Sequence, residues 1–317
     1  MLKQAPPGPP MAKSGRAGTP TDLTAAQSVD TAIVAILTER QTELVATLRA
    51  TLDRPAPDEV HALRVALRRL RAALALCGRW VGADVFKALR SDAHDLAAAL
   101  GRARDWDVLV TETLPRHADE LAGVANLSAL IEEANAARNE GYRQMLARLD
   151  GPLPQKLLLG LALLLAQPPW RAGGAPAPKR LADKLKPRAA RELSRAQRRQ
   201  KRHGKRITEL SDEERHRVRI DAKRLGYTID FLGPVWPKRR KRHAYRAHVK
   251  SLQTALGALN DLRTTRRLLD QIAAETPSPA VHQAVGAVLG WSARDKREQL
   301  EALGELWRRF RSTKPFW

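Results

Sequence analysis

One pattern appears twice in this chain, 155 residues apart, and that recurrence constrains the fold more than any other feature. The stretch "HALRVALRRL" from His61 aligns with "HRVRIDAKRL" from His216. His61 meets His216, Arg64 meets Arg219, Val65 meets Ile220, Arg68 meets Lys223, Arg69 meets Arg224 and Leu70 meets Leu225. A second match follows in the same order: "LGRARDWD" from Leu100 meets "LGALNDLR" from Leu256 at a shift of 156, with Asp105 over Asp261. Between the two, Lys87 meets His243, Arg90 meets Arg246 and His94 meets Lys250. Two ordered matches at nearly equal spacing imply an internal duplication. The halves are expected at residues 28–166 and 180–317, joined by the Pro/Gly-rich segment 167–179. Residues 1–27, rich in Pro and Gly, are expected to form a disordered tail.

The repeated unit reads as a helix. At about 100° per residue, His61, Arg64, Arg68 and Arg71 share one stripe, while Leu63, Ala66, Leu67, Leu70, Ala73, Leu74 and Cys77 share the opposite one. Arg69 falls on the flank. In the second copy His216, Arg219, Lys223 and Tyr227 line one face, and Val218, Leu225, Ile229 and Leu232 the other. The next helix repeats the idea, because Lys87, Arg90 and His94 step by three and four, as do His243, Arg246 and Lys250. Helices are expected near 28–52, 57–80, 83–101 and 104–149 in the first half, the last of them broken. In the second half they fall near 180–206, 211–233, 238–257 and 261–310, with a break at "ETPSP", Glu275–Pro279. Asp105 and Asp261 then suit the cap or first turn of the fourth helices, or the orienting of a nearby Arg. With 4% aromatic residues, abundant Ala, Leu and Arg, and no alternating Val/Ile/Thr run, the fold class is all-α.

Charge is distributed unevenly. The formal net charge is +22. Residues 1–165 hold 20 Lys/Arg against 19 Asp/Glu, whereas 166–317 hold 36 against 15. Lys179–Arg206 alone has 13 basic and two acidic residues. Such a field attracts polyanions: nucleic acid, an anionic membrane or a phosphate polymer. Solvated helix faces usually mix signs in i,i+4 pairs. Here like charges stack along both stripes with no acid between, so each face repels itself unless an anion covers it.

Other chemistries fit the sequence less well. The single cysteine, Cys77, excludes a disulfide framework and fits a reducing cytoplasm. The longest apolar run, Leu157–Ala166, is too short for a membrane-spanning helix. The N-terminus lacks the apolar core of a secretory signal. A metal at His61 or His216 would enter a field of like charges without a compensating carboxylate or thiolate. "HD" at His94–Asp95 has "KS" at Lys250–Ser251 as its counterpart, so the dyad is not duplicated. Asp105 and Asp107 offer a pair of carboxylates for Mg²⁺, which makes a metal-dependent phosphohydrolase the weaker alternative. A nucleic-acid binder is the stronger one, through the Lys179–Arg206 run and "PKRRKRHAYR", Pro237–Arg246. Aromatic residues for base stacking are scarce, and Trp80, Trp106, Trp170, Trp236, Trp291 and Trp307 are scattered.

These motifs together resemble the CHAD family, the conserved histidine α-helical domain. The resemblance rests on "HALRVALRRLR", "LGRARDWDVL", "HRVRIDAKRLGY" and "LGALNDL", with "LGELWRRFRSTKPFW" similar to the family's closing helix, and it covers residues 28–317. It implies two pseudo-symmetric helical bundles around a basic central channel. It further implies non-catalytic binding of long-chain inorganic polyphosphate, with no cofactor, and a cytoplasmic protein associated with polyphosphate granules. The candidate ligand-binding residues are His61, Arg64, Arg68, Arg69, Arg71, Lys87, Arg90, His94, Arg104, Arg195, Arg198, Arg202, His216, Arg219, Lys223, Arg224, Tyr227, His243, Arg246 and Lys250. The sequence departs from the family pattern at Gly226, where an Arg often precedes the tyrosine, so one phosphate contact is expected to be missing. No triphosphate-tunnel domain is expected ahead of the repeat.

Overall fold

The computed structural model describes residues 23–121, 123–171 and 181–317. The expected linker lies largely outside them, as does the tail except for its last five residues. Of those, Leu23 is buried in the core. The fold is all-α, with no strand among the described residues.

The first half runs α1 (Val29–Asp53), α2 (Pro57–Val81), α3 (Lys87–Val108), α4 (Leu114–Leu121), α5 (Ser128–Leu149) and α6 (Pro152–Ala166). The second runs α7 (Leu185–His203), α8 (Asp212–Leu232), α9 (Arg239–Glu275) and α10 (Pro279–Ser312). Local chemistry sets the ends. Ser28 caps α1 and Ser211 with Glu214 forms a capping box on α8, each satisfying first-turn N–H groups that lack a partner within the helix. Prolines open α2, α6 and α10, where the missing N–H costs nothing. Gly82 ends α2 at φ +116°, a conformation that side chains other than glycine rarely adopt.

The stretches that carry the two motifs share a neighbour order. α1, α2 and α3 pack in sequence, α7, α8 and α9 do the same, and α2 lies against α8. The segments entering α1 and α7 also pair, Val29 donating to the Asp183 carbonyl (3.1 Å) and Leu185 to that of Gln27 (2.8 Å). The apolar faces read from the repeat are core: Leu63, Leu67, Leu70, Leu74 and Cys77 on α2, and Val218, Leu225 and Leu232 on α8, are fully buried. At roughly 1.5–3 kcal/mol per buried Leu, those faces dominate the packing of both helices. A second apolar cluster joins Trp106, Leu109, Leu114 and Leu130 of the first half to Leu268, Ile272, Val281 and Val285 of the second.

Two expectations need correction. The third helices do not stop at Gly101 and Gly257. α3 continues to Val108 and α9 runs unbroken to Glu275, so Asp105 and Asp261 sit inside helices rather than at caps. One helical glycine costs about 1 kcal/mol. Burial of Leu100, Ala103 and Trp106 in α3, and of Leu256 and Leu259 in α9, outweighs that cost. The apolar run after Leu149 also forms a helix of its own, α6, burying Leu157, Leu161 and Leu164. The break at Glu275–Pro279 falls where α9 gives way to α10.

Candidate anion-binding site

The polar stripes of α2 and α8 converge. Arg64 carries the electrostatic influence of Arg68 on its own helix, of Arg104 and Asp105 on α3, and of Arg219 from the other half. Arg219 in turn senses Arg68, Asp105 and Asp261. Lys223 senses Arg68, Arg219, Asp261 and Arg64. Four guanidiniums and one amine from both halves thus share a site with two carboxylates. Among the described residues, Arg64, Arg68, Arg219 and Lys223 form no ion pair, and the Nε atoms of Arg68 and Arg219 are buried without a hydrogen-bond partner. Gly101 lets this happen: a Cβ there would stand 3.3 Å from Arg64 Nη1, so the guanidinium lies close over the α3 backbone.

Desolvation governs the titration of the cluster. Burial, then Arg68 and Arg219, brings the Lys223 amine down to about 7. Burial also lowers the guanidinium pKa values of Arg64 and Arg219 and raises those of the Asp105 and Asp261 carboxyls, against the pull of the surrounding cations. His61 sits at the exposed rim. Partial desolvation, followed by Arg104, Arg68 and Arg64, disfavours its imidazolium.

The equivalent histidine differs. His216 Nδ1 lies 2.9 Å from Asn260 Oδ1, and Asn260 occupies the position that Arg104 holds in the first half. A similar inequality marks the other end. Arg71 corresponds to Gly226, where a Cβ would fall 2.3 Å from Gln253 Nε2, the group that donates to the Ala222 carbonyl. Gln253 therefore fills the space of the missing arginine.

The remaining candidates divide by partner. Arg71, Arg90 and Arg224 form a second basic group with Arg79 and Arg199: after burial, Arg90 lowers the pKa of Arg71, and Arg199, Arg79 and Arg90 lower that of Arg224. Arg69 turns to Glu43 on α1 at 2.7 Å. Arg246 grips Asp230 through Nε and Nη2 at 2.7 and 3.0 Å. Tyr227 lies near Arg69 and Arg219 and stacks on Phe231 at 6.4 Å. Lys87, His94, His243 and Lys250 are exposed, with no hydrogen bond or ion pair among the described residues joining them to the cluster. Arg195, Arg198 and Arg202 are exposed on α7, which meets α8 through Asp221 rather than through the Arg219–Lys223 face. Arg79, Arg199 and Asn260 are not among the ligand-binding candidates named individually from the sequence, although Arg199 and Asn260 lie in stretches it singled out. Asn260 was recoverable from the repeat alignment, while nothing marks Arg79 or Arg199 individually before the helices pack.

Asp107, a carboxylate considered for Mg²⁺, is fully buried and accepts from Arg138 Nε (2.7 Å) and the Tyr142 hydroxyl (2.8 Å). Among the described residues, no group of three or more His, Cys, Asp or Glu is placed to hold a metal ion. Burial pushes the Cys77 thiol up to about 12, which rules it out as a ready nucleophile. No single helix among the described residues is long and apolar enough to cross a membrane.

Comparison with known proteins decides the family. A model of the CHAD domain matches residues 35–270. The chain belongs to the CHAD family. The CHAD domain crystal structure from the plant Ricinus communis is similar over 92% of this chain and 96% of its own, at 27% identity and a TM-score of 0.72. PptA from Streptomyces chartreusis shares the fold over 89% of this chain and 100% of its own, at 17% identity and a TM-score of 0.68. No curated protein sequence matches this CHAD chain.

Proposed function

We propose that this CHAD protein binds long-chain inorganic polyphosphate, without catalysis, in a basic channel between α2 and α8. The observation that carries the reading is the convergence of Arg64, Arg68, Arg219 and Lys223 from α2 and α8 with no carboxylate paired to them among the described residues. Like charges about 6 Å apart at an effective dielectric of ~20 repel by roughly 3 kcal/mol. A polyanion threaded between the stripes turns that repulsion into attraction. Arginine forks grip two oxygens of a phosphate at once, and Lys223 adds a point charge. Asp105 and Asp261 temper the field at its centre. The second group, Arg71, Arg90 and Arg224, extends the path beyond Lys223, so longer chains gain contacts that short ones lack. Association with polyphosphate granules in the cytoplasm follows from such binding.

Filter binding over a series of chain lengths and salt concentrations tests the proposal. Affinity should rise with chain length and fall steeply with salt as counterions are released. The combined substitution of Arg64, Arg68, Arg219 and Lys223 by Gln should abolish binding while circular dichroism stays helical. Affinity independent of chain length and salt would overturn it.

A further inference from the structure

The outward face of α7 belongs to no part of the cluster between α2 and α8. Its buried residues, Leu185, Ala189, Leu193, Gln197 and Gln200, face the core. Arg191, Arg195, Arg198 and Arg202 lie on the opposite side of the helix, within about 60° of one another at 100° per residue. All four are exposed, and among the described residues none pairs with a carboxylate. Every exposed residue of α7 is basic except Pro187. The helix's only acid, Glu192, is buried and held by Arg79 at 2.7 Å. Elsewhere on the surface, exposed arginines such as Arg143, Arg294 and Arg309 do have acidic partners within one turn. Arg217, Arg240 and Arg308 are also exposed without an ion pair among the described residues, so what sets this face of α7 apart is a run of four such arginines on one stripe with no acid among them.

We propose that this face is a second, independent polyanion site, which docks the sugar–phosphate backbone of double-stranded nucleic acid without reading its sequence. The four guanidiniums span about 16 Å along the helix at 1.5 Å per residue. The face is the convex side of a single helix, and its four arginines are exposed among the described residues. A flexible phosphate chain laid on it would leave half its charges in water and lose its freedom to wander. A duplex is already ordered, with a persistence length of about 150 base pairs, and offers rows of phosphates on both sides of a groove about 12 Å wide. An α-helix with side chains is roughly 10–12 Å across and fits that groove. Adenine and cytosine are read by Asn, Gln or acidic groups, and the exposed face has none. Its arginines can pair with guanine, but with nothing beside them to distinguish the other bases the contacts are assigned to phosphate. With the cluster on one side of α8 and this stripe on the far face of α7, one chain would hold two polyanions at once.

The test measures fluorescence anisotropy of the full chain with a random-sequence DNA duplex of about 30 base pairs, across a salt series. Four phosphate contacts predict a slope of log K against log salt near −4, from about −0.9 per contact. Replacing Arg191, Arg195, Arg198 and Arg202 together by Gln should weaken duplex binding at least ~10-fold and flatten that slope toward zero. Replacing all four by Lys should restore it, since the charge is what is read. Substitution of Arg64, Arg68, Arg219 and Lys223 by Gln should leave duplex binding unchanged, and one equivalent of polyphosphate should not displace the duplex from the wild type. The proposal is overturned if the α7 variant keeps its duplex affinity, if the cluster variant loses it, or if stoichiometric polyphosphate displaces the duplex.

Discussion

Arg267 Nη2 lies 3.0 Å from Asp105 Oδ2, so the second half reaches across to hold the carboxylate at the centre of the first half's basic cluster. The contact is not reciprocated. Asp261 is the counterpart of Asp105, but the position matching Arg267 is Thr111, whose hydroxyl bonds the carbonyl of Asp107 in its own helix. The two similar sequence motifs are thus electrostatically unequal where they meet, and several expected outcomes follow from that inequality.

Removing either central carboxylate should trade stability for affinity. Asp105→Asn or Asp261→Asn takes away one negative charge that sits among arginines. Polyphosphate affinity should rise by about tenfold, equivalent to roughly 1.4 kcal/mol. The ligand-free protein should melt a few degrees lower as self-repulsion grows, at about 2–4 °C per kcal/mol. Filter binding and thermal melts check both, and an Asp105→Asn protein that binds more weakly would contradict the assignment.

Arg104→Asn gives His61 the neighbour that His216 already has. Removal of the first-ranked charge acting on His61 should move its pKa upward from its depressed position. Proton NMR titration of the imidazole reads the change directly, and an unmoved titration would place Arg104 too far away to matter.

Polyphosphate binding should take up protons near neutral pH. Lys223 titrates at about 7 in the ligand-free protein, and a polyanion raises both that value and that of His61. Calorimetry in buffers of different ionisation enthalpy should give different heats, and binding should tighten as pH falls from about 8 to 6. The stability effect has the opposite sign. Between pH 7 and its ordinary value of 10.5, Lys223 is protonated in the unfolded chain and neutral in the folded one. Its destabilising contribution is therefore fully present below pH 7 and is relieved as pH rises. The stability gap between wild type and Lys223→Met should narrow over pH 7 to 9 in urea titrations.

Asp107→Ala should be among the most damaging substitutions away from the cluster. It leaves Arg138 and the Tyr142 hydroxyl without their shared acceptor, and loss of one member of a buried pair costs about 3–5 kcal/mol. Urea denaturation measures the loss. A change below 1 kcal/mol would show that the network contributes little to holding α3 against α5.

Local periodicity carried much of this protein's design. Which residues of α2 and α8 face the core depends only on spacing along one helix, so Leu63, Leu67, Leu70 and Val218, Leu225, Leu232 were legible before any packing was known. The helix ends at Ser211 and at Glu275–Pro279 were legible for the same reason. The repeat identified equivalent positions on α2 and α8, and the basic stripes raised the expectation of an anion. What spacing could not reveal was which cations remain free. Arg69 and Arg64 sit five residues apart on one helix, yet Glu43 of α1 neutralises the first and nothing neutralises the second. Arg246 and Arg90 occupy equivalent positions, yet only Arg246 has Asp230 to meet it, because Ala75 stands at the matching place in the first half. Continuation of α3 and α9 through Gly101 and Gly257 was likewise decided by the tertiary burial of Leu100, Ala103 and Trp106 and of Leu256 and Leu259 rather than by the glycines themselves. Sequence alone determined an all-α chain with basic helix faces. The tertiary structure, by choosing each charge's neighbours and how deeply it is desolvated, decided which of those charges are available to a ligand.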